Sequence, residues 1–223
     1  MTVSDYKEVI NNLKRYNSGQ EKEALLYLME DDITALKTAQ ILGANPKNEF
    51  EALAFIFKLR EISVSDLIDL TYTCVNKDCK YQDALHISIP DMFWKDDELD
   101  EAVPIGLFQD LDSIEEDIKD INILSIMDYN VLENKIFSNN YKIFDPKIDI
   151  VCKRCNTANS TTISFKSIVS KFSISNIYEQ YFDVSYFCNM TKIDTDSMFP
   201  FEREIFIGLI QAKQDEIEKA NKR

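Results

Sequence analysis

Hydrophobic residues in the first sixty positions recur at the three- and four-residue intervals of one face of an α-helix. Pro46 ends any helix before it, and Asn48 is a suitable N-cap for a further helix over 49–60. The pattern therefore predicts an N-terminal helical region. The apolar positions behind this prediction are Tyr6, Val9, Ile10, Leu13, Ala24, Leu25, Leu28, Met29, Phe50, Leu53, Ala54, Ile56 and Phe57.

The hydrophobic pattern changes after residue 62 from helical spacing to alternation, which indicates β-strands. Two pairs of alternating segments each enclose a short polar loop with two cysteines. The first loop holds Cys74 and Cys79, and the second holds Cys152 and Cys155. Each pair of segments therefore predicts a β-hairpin with two cysteines at its tip. The predicted strands cover residues 68–73, 84–89, 147–151 and 161–165.

Helical spacing returns in the C-terminal part of the chain. Ser175 is a suitable N-cap for one helix, residues 195–198 predict a short turn, and Pro200 at the first position predicts a last helix over 201–220. Cys188 lies on the apolar face of the first of these helices, where a small buried side chain is expected. The expected apolar residues are Ile177, Tyr181, Phe182, Val184, Phe187 and Cys188 in the first helix, and Ile205, Leu209 and Ile217 or their neighbours in the last.

The negative charge of the chain is concentrated in one segment. The 223 residues include 39 Asp and Glu against 25 Lys and Arg, a formal net charge of −14. Residues 91–120 hold twelve acidic residues and two lysines, so this segment carries −10 of that total. Ser113 with Glu116 forms a capping-box pattern that predicts a helix over 113–126. The overall charge argues against general nucleic-acid binding, because phosphate contacts need clustered Lys and Arg.

The sequence shows no signal for secretion, membrane insertion or catalysis. No apolar run approaches the roughly 20 residues that span a bilayer, and the N-terminus lacks the pattern of a signal peptide. We therefore expect synthesis in a cytosol and no contact with membranes. The single histidine, His86, alternates with core positions on a strand, where a packed or surface histidine is expected. We expect no enzymatic activity and no small-molecule substrate.

Four of the five cysteines have the spacing of a metal site. Four residues separate Cys74 from Cys79, and two separate Cys152 from Cys155. A short loop lets two thiolates point at one ion, and two loops complete a tetrahedron without an open position. We therefore predict that these four cysteines bind a structural Zn²⁺ ion that contributes folding free energy. The alternatives are reduced cysteines within strands or two disulfides, which a cytosolic setting disfavours.

A shared zinc site requires the two hairpins to meet across a gap of 72 residues. The sequence therefore predicts an α+β protein in which terminal helices flank two β-hairpins, joined as a split zinc ribbon with a long acidic insertion. The predicted divisions are an N-terminal helical region over 1–60, zinc-ribbon hairpins over 61–90 and 145–166, the acidic insertion over 91–144, and a C-terminal helical region over 167–223.

Two stretches of the chain resemble a known family. The first is FKLREISVSD at 57–66, and the second is NMT at 189–191 with MFPFERE at 198–204. They are similar to regions of the baseplate hub assembly proteins of T-even-like contractile-tailed phages. The resemblance implies a non-enzymatic hub component or hub assembly factor in virion tail morphogenesis, with other phage baseplate or hub proteins as partners. It also implies a location in the host cytoplasm during assembly or in the tail baseplate.

Two other classes of function stay open at this point. The tips of the hairpins are locally basic, through Lys77, Lys80, Lys153 and Arg154, which suits a nucleic-acid-associated zinc-ribbon regulator. The second class is a metalloenzyme, which requires an open coordination position; metal spectroscopy that shows four sulfur ligands would exclude it. The acidic segment is either a solvated loop or a dock for a basic partner.

Overall fold

The computed structural model describes residues 3–94 and 142–221, with the separate positions 131, 134, 138 and 140. These residues form a mixed α/β protein with seven α-helices and two antiparallel sheets of two strands each. Helices precede and follow the hairpins, as the sequence predicts. Most of the acidic segment, with the helix predicted over 113–126, lies outside the described residues. None of the helices in the described part combines the length and apolar character that crossing a bilayer requires.

Four helices precede the first hairpin, and side chains cap three of them. The Asn17, Thr34 and Asn48 side chains accept hydrogen bonds from the backbone amides of Gln20, Lys37 and Glu51. The prediction of Asn48 as an N-cap is confirmed. Met29 and Val9 are exposed, contrary to prediction, whereas most of the other predicted apolar positions are buried or half-buried. The helices are α1 (Val3–Asn11), α2 (Ser18–Tyr27), α3 (Ala35–Ile41) and α4 (Glu49–Ser63).

Two separate hairpins follow, in strand order β1-β2 and β3-β4. The first three strands lie close to their predicted positions, but β4 begins three residues earlier than predicted. The reason is the tight cysteine loop: the Cys152 amide donates to the Thr157 carbonyl, so cross-strand pairing starts directly after the turn. The strands are β1 (Leu67–Thr73), β2 (Gln82–Ser88), β3 (Lys147–Val151) and β4 (Ala158–Thr162).

Three C-terminal helices complete the described chain. The first is capped by Ser173, not by Ser175 as predicted, because the Ser173 hydroxyl accepts from the Asn176 amide. The expected burial of Phe182 and Phe187 is wrong, since both side chains are exposed. In the last helix Ile205, Leu209 and Ile217 are exposed, and their neighbour Ile210 is buried in their place. The helices are α5 (Ile174–Cys188), α6 (Lys192–Ser197) and α7 (Pro200–Asn221).

The N-terminal and C-terminal helices meet around a buried arginine. Arg203 of α7 donates from Nη2 to Glu21 of α2 at 2.7 Å and from Nε to Gln180 of α5 at 2.8 Å. Both charged side chains are almost fully inaccessible to solvent, at 0 % and 1 % exposure. The hydroxyl of Tyr16 also donates to the Val169 carbonyl inside the protein. This helical junction therefore joins residues that are far apart in the sequence.

Candidate metal centre

The four predicted ligands come together at the tips of the two hairpins. Their sulfur atoms all lie within 4.8 Å of one another. Cys74 Sγ is 3.6 Å from Cys155 Sγ, and Cys79 Sγ is 3.8 Å from Cys152 Sγ, so each close pair joins one hairpin to the other. A tetrahedral ion with metal–sulfur bonds of 2.3 Å has sulfur–sulfur edges of about 3.8 Å. The four thiols thus have the spacing of one tetrahedral site.

Both cysteine loops have the same backbone construction. In the first loop the Lys80 amide donates to the Asn76 carbonyl, and Lys80 has a φ of 47°. In the second, the Asn156 amide donates to the Cys152 carbonyl, and Asn156 itself has a φ of 56°. A left-handed residue directly after the second cysteine turns each chain back into its returning strand. This reversal keeps both sulfur atoms of a loop on the same side.

Asn159 ties the hairpins together beside the cysteines. Its side chain is only 7 % exposed, and its Oδ1 accepts from the Val75 amide of the first hairpin at 2.8 Å. Its Nδ2 donates to the Thr157 carbonyl of its own hairpin at 2.8 Å. A second cross-hairpin contact, between Lys153 and Asp83 at 2.7 Å, lies at the surface. The hairpins are therefore joined by protein groups as well as by the proximity of the thiols.

The surroundings divide the four thiols by hairpin. Burial raises the pKa of Cys74, and it raises the pKa of Cys79 to about 11. Thr157 lies 3.2 Å from Cys155 Sγ, and its hydroxyl and amide lower the pKa of Cys155 to about 6. Burial opposes ionisation of Cys152, but the amides of Arg154 and Cys155 outweigh it and lower its pKa. The second hairpin thus favours thiolates, the form that binds metal ions.

A tyrosine forms part of the surroundings of the site. Tyr72 of β1 is buried, and burial is the main cause that raises its pKa, followed by the neighbouring charge of Cys152. Among the described residues, however, the buried Tyr72 hydroxyl makes no hydrogen bond, so Tyr72 lies near Cys152 without donating to it.

The other residues considered from the sequence lie away from this cluster. His86 is on the surface, with Nδ1 2.6 Å from Asp69 Oδ1 on the paired strand, which confirms a surface histidine. Cys188 is half-buried against the small apolar cluster around Val184. All five cysteines are free thiols, so no disulfide is present. Among the described residues, the four clustered cysteines form the one group of His, Cys, Asp and Glu close enough to share an ion.

Sequence reasoning did not identify Asn159 or Thr157 as parts of the site. Both lie in a stretch of small polar residues, TANSTT at 157–162, which resembles an ordinary surface strand. Only the strand register of β3 and β4 brings Asn159 opposite the first hairpin. The sequence held no signal for this role, because the burial of Asn159 becomes visible only in the structure.

The cysteine cluster can hold a metal ion with the residues that are present. Four converging sulfur ligands satisfy a tetrahedral ion and leave it no free position for water. Comparison of the chain with protein-family models, curated proteins and solved structures finds no match. What the centre does must therefore be argued from its own geometry.

Proposed function

We propose that Cys74, Cys79, Cys152 and Cys155 bind one Zn²⁺ ion that holds the two hairpins together as a split zinc ribbon. The observation that carries the proposal is the pair of cross-hairpin sulfur distances, 3.6 and 3.8 Å. Four sulfur ligands in a tetrahedron favour zinc or iron over harder ions. A two-stranded hairpin is marginally stable by itself, so a shared ion would stabilise both hairpins.

Metal content and ligand spectroscopy test the zinc proposal. We expect about one zinc per purified chain and an X-ray absorption spectrum of four sulfur ligands. Replacement of zinc by Co²⁺ should give the visible absorption of a tetrahedral thiolate site. Iron in place of zinc, or a protein that folds fully without metal, would contradict the proposal. A spectrum with oxygen or nitrogen ligands would reopen the metalloenzyme alternative.

We further propose that the chain acts, without enzymatic activity, as a hub component or hub assembly factor in phage tail morphogenesis. The support is the resemblance of residues 57–66 and 198–204 to hub assembly proteins. Each stretch holds or borders a buried arginine with a structural role. Arg60 donates to the carbonyls of Ser65 and of Leu67, the first residue of β1, and Arg203 forms the helical junction. The resembling segments are thus the ones that fix the framework.

An exposed aromatic row on α5 supports a role in binding other proteins. The rings of Phe182 and Tyr186 stack at 5.7 Å, although the side chains are 65 % and 70 % exposed. Tyr178 lies one helical turn earlier on the same face and is also exposed. Aromatic residues are enriched in protein interfaces. We therefore assign this row to contact with baseplate or hub proteins in the host cytoplasm during assembly, or in the tail baseplate.

Co-purification from infected cells tests this role. A tagged chain should recover tail hub proteins, whereas a variant with Phe182→Ser and Tyr186→Ser should not. The matched control is Ile193→Ser, which removes an exposed apolar side chain from the neighbouring helix α6. Recovery of hub proteins by neither the parent chain nor the control would contradict the proposal.

The second candidate function is nucleic-acid binding through the hairpin tips. Lys77, Lys80 and Arg154 are exposed there, whereas Lys153 is paired with Asp83. Binding that weakens with salt and disappears on reversal of these three charges would favour this function. Absence of binding at low salt would remove it.

A further inference from the structure

A groove of about 440 Å³ lies between the two hairpins, next to the metal centre. One wall consists of consecutive residues of β1, from Leu70 to Thr73, and the other of β4 residues from Asn159 to Thr162. The Val75–Asn159 hydrogen bond closes the end nearest the cysteines. The groove is thus bounded by two different strands from two different sheets.

The register of the first hairpin shows which backbone groups of β1 face away from β2. The Cys74 amide donates to the Tyr81 carbonyl, and the Ile89 amide donates to the Asp66 carbonyl, so the even-numbered residues of β1 bond to β2. In an antiparallel pair the intervening residues point their amides and carbonyls outward. Thr71 and Thr73 therefore present their main-chain groups along the outer edge, as the Val75 amide does in its bond to Asn159.

The same reasoning applies to β4. The Cys152 amide donates to Thr157 and the Ile163 amide donates to Pro146, so odd-numbered residues of β4 bond to β3. Ser160 and Thr162 therefore direct their amides and carbonyls outward. Among the described residues, these groups and those of Thr71 and Thr73 make no main-chain hydrogen bond. Both walls of the groove thus carry open strand edges.

The charges differ between the groove edges and the opposite edges of the same sheets. The groove walls carry hydroxyl side chains from Thr71, Thr73, Ser160, Thr161 and Thr162 and no charged residue. The opposite strands instead carry ionisable side chains, namely Asp83 and His86 on β2 and Lys147 and Asp149 on β3. Strand β1 has one charged residue, Asp69, which lies outside the groove lining, and β4 has none. Charged residues on an edge strand prevent pairing with other chains. The edges that face away from the groove are thus protected by charge against pairing with another strand, and the edges within the groove are not.

We infer that this groove binds an extended, uncharged polypeptide segment of a partner protein, paired through its backbone with β1 on one side and β4 on the other. Addition of a strand to an open sheet edge is a recurrent mode of peptide recognition. A segment between the two edges would unite both hairpins in one continuous sheet. Leu70, Leu85 and Ile150 are half-buried in the groove and would contact apolar side chains of the segment.

Selection from a random heptapeptide library tests this inference on the metal-loaded chain, whose zinc content is measured on the same sample. A selected peptide is then titrated against single proline variants. Thr71→Pro and Ser160→Pro each remove an outward amide without breaking a bond inside the hairpins. We expect either change to weaken peptide binding by about tenfold, as loss of a hydrogen bond with its strand alignment would.

The matched control is Asp149→Pro. Asp149 lies directly opposite Ser160 in the register, and its amide faces the other edge of the same hairpin. We expect this variant to bind the peptide as the parent does. In the parent protein, the peptide should also slow amide hydrogen exchange at Thr71 and Ser160 and leave Tyr72, which is already bonded to β2, unchanged. This second measurement requires no variant to fold.

Several results would overturn the inference. These are a failure to select any peptide, or equal peptide binding by the Thr71→Pro, Ser160→Pro and parent proteins. Slow exchange at Thr71 and Ser160 without peptide would mean that the same chain already covers the edges. Protection that grows with protein concentration would mean that a second copy covers them. If a proline variant lost zinc together with peptide binding, the loss of binding would be due to disruption of the metal centre and not of the strand edge.

Discussion

The candidate metal centre and the helical junction both hold distant parts of the chain together, but through different chemistry. Each joins parts of the chain that are distant in sequence: residues 74–79 with 152–155 in one case, and Glu21 with Arg203 in the other. At the hairpin tips the residues around the cysteines are outside the hydrophobic core, and four sulfur atoms converge there instead. At the junction the ion pair lies inside a helical core. Thus the proposed ion would join the two hairpin tips, whereas a buried ion pair joins the helices.

The two regions should respond to different perturbations. The junction needs nothing from solution, whereas the proposed centre depends on zinc and on ionised thiols. Removal of metal should therefore separate the hairpins and spare the helices, and disruption of the ion pair should do the reverse. Each of the following predictions tests this separation.

Loss of a cysteine ligand should have the largest effect. Cys74→Ser leaves three sulfur ligands, so we expect zinc content to fall from about one per chain to nearly none. Amide exchange in β1–β4 should become fast, with helical circular dichroism largely retained. Cys188→Ser, which removes a thiol outside the cluster, is the control and should keep its zinc. Full retention of metal by Cys74→Ser would contradict the assignment of the ligands.

Loss of the buried arginine should come next. Arg203→Met leaves the Glu21 carboxylate buried without its partner, which costs about 3–5 kcal/mol of unfolding free energy. Zinc content should not change. The double variant Glu21→Leu, Arg203→Met should recover most of the loss, since it removes both charges. A double variant as unstable as the single one would show that the charge is not what matters. Urea denaturation measures all three proteins.

Asn159→Ala should have a smaller effect. It removes the acceptor of the Val75 amide, which costs about 0.5–1.5 kcal/mol because this hydrogen bond is only partly buried. The hairpins should then separate more easily, and zinc should dissociate faster in the presence of a competing chelator. Ser160→Ala, at the exposed neighbouring position, is the control. Equal rates of zinc release from both variants would show that the Asn159 side chain does not help to hold the two hairpins together.

The smallest expected effect concerns pH at the edge of the helical junction. Burial would raise the pKa of Asp196, but hydrogen bonds from Lys22 and Tyr181 outweigh burial and lower it. A carboxylate with a lowered pKa stabilises the fold above its unfolded pKa, and this contribution disappears as pH falls through the folded pKa. Asp196→Asn should therefore cost less than about 1 kcal/mol at pH 7.

The difference in unfolding free energy between the parent and Asp196→Asn should shrink towards zero in acid. Comparison of the two proteins in the same metal state cancels the acid sensitivity of the cysteines. A difference that stays constant from neutral pH to about pH 2 would contradict a role for the carboxylate charge, because the unfolded pKa is near 3.9.

The hairpins and the cysteine cluster could be predicted from the sequence, because alternation and paired cysteines are local patterns. Strand β3 was predicted with its observed bounds, and all four cysteines converge as expected. The start of β4 could not be predicted, since it depends on how tightly the turn at Cys152 closes. Zinc itself, and the resemblance to hub proteins, stay predictions.

The helical junction could not be predicted, because a buried charge has no local signature. Arg203 lies beside Ile205 in a helix whose apolar residues suggested another buried face. Instead, Arg203 and Ile210 are buried, while Ile205 and Leu209 face solvent. Which face of a helix is covered depends on its neighbours, here α2 and α5. For the same reason, Phe182 and Phe187 of α5 are exposed although they lie on the helix face whose apolar pattern suggested burial.

The separation of the two cysteine loops in the sequence also delays assembly of the cysteine cluster during synthesis of the chain. At about 5–20 residues per second, a ribosome needs about 4–15 seconds to proceed from Cys79 to Cys152. Throughout that interval the first hairpin has two thiols and no second half of a site. A nascent chain can therefore complete the centre only after Cys155 has left the ribosome. Until then, the reducing capacity of the cell must keep Cys74 and Cys79 from oxidation.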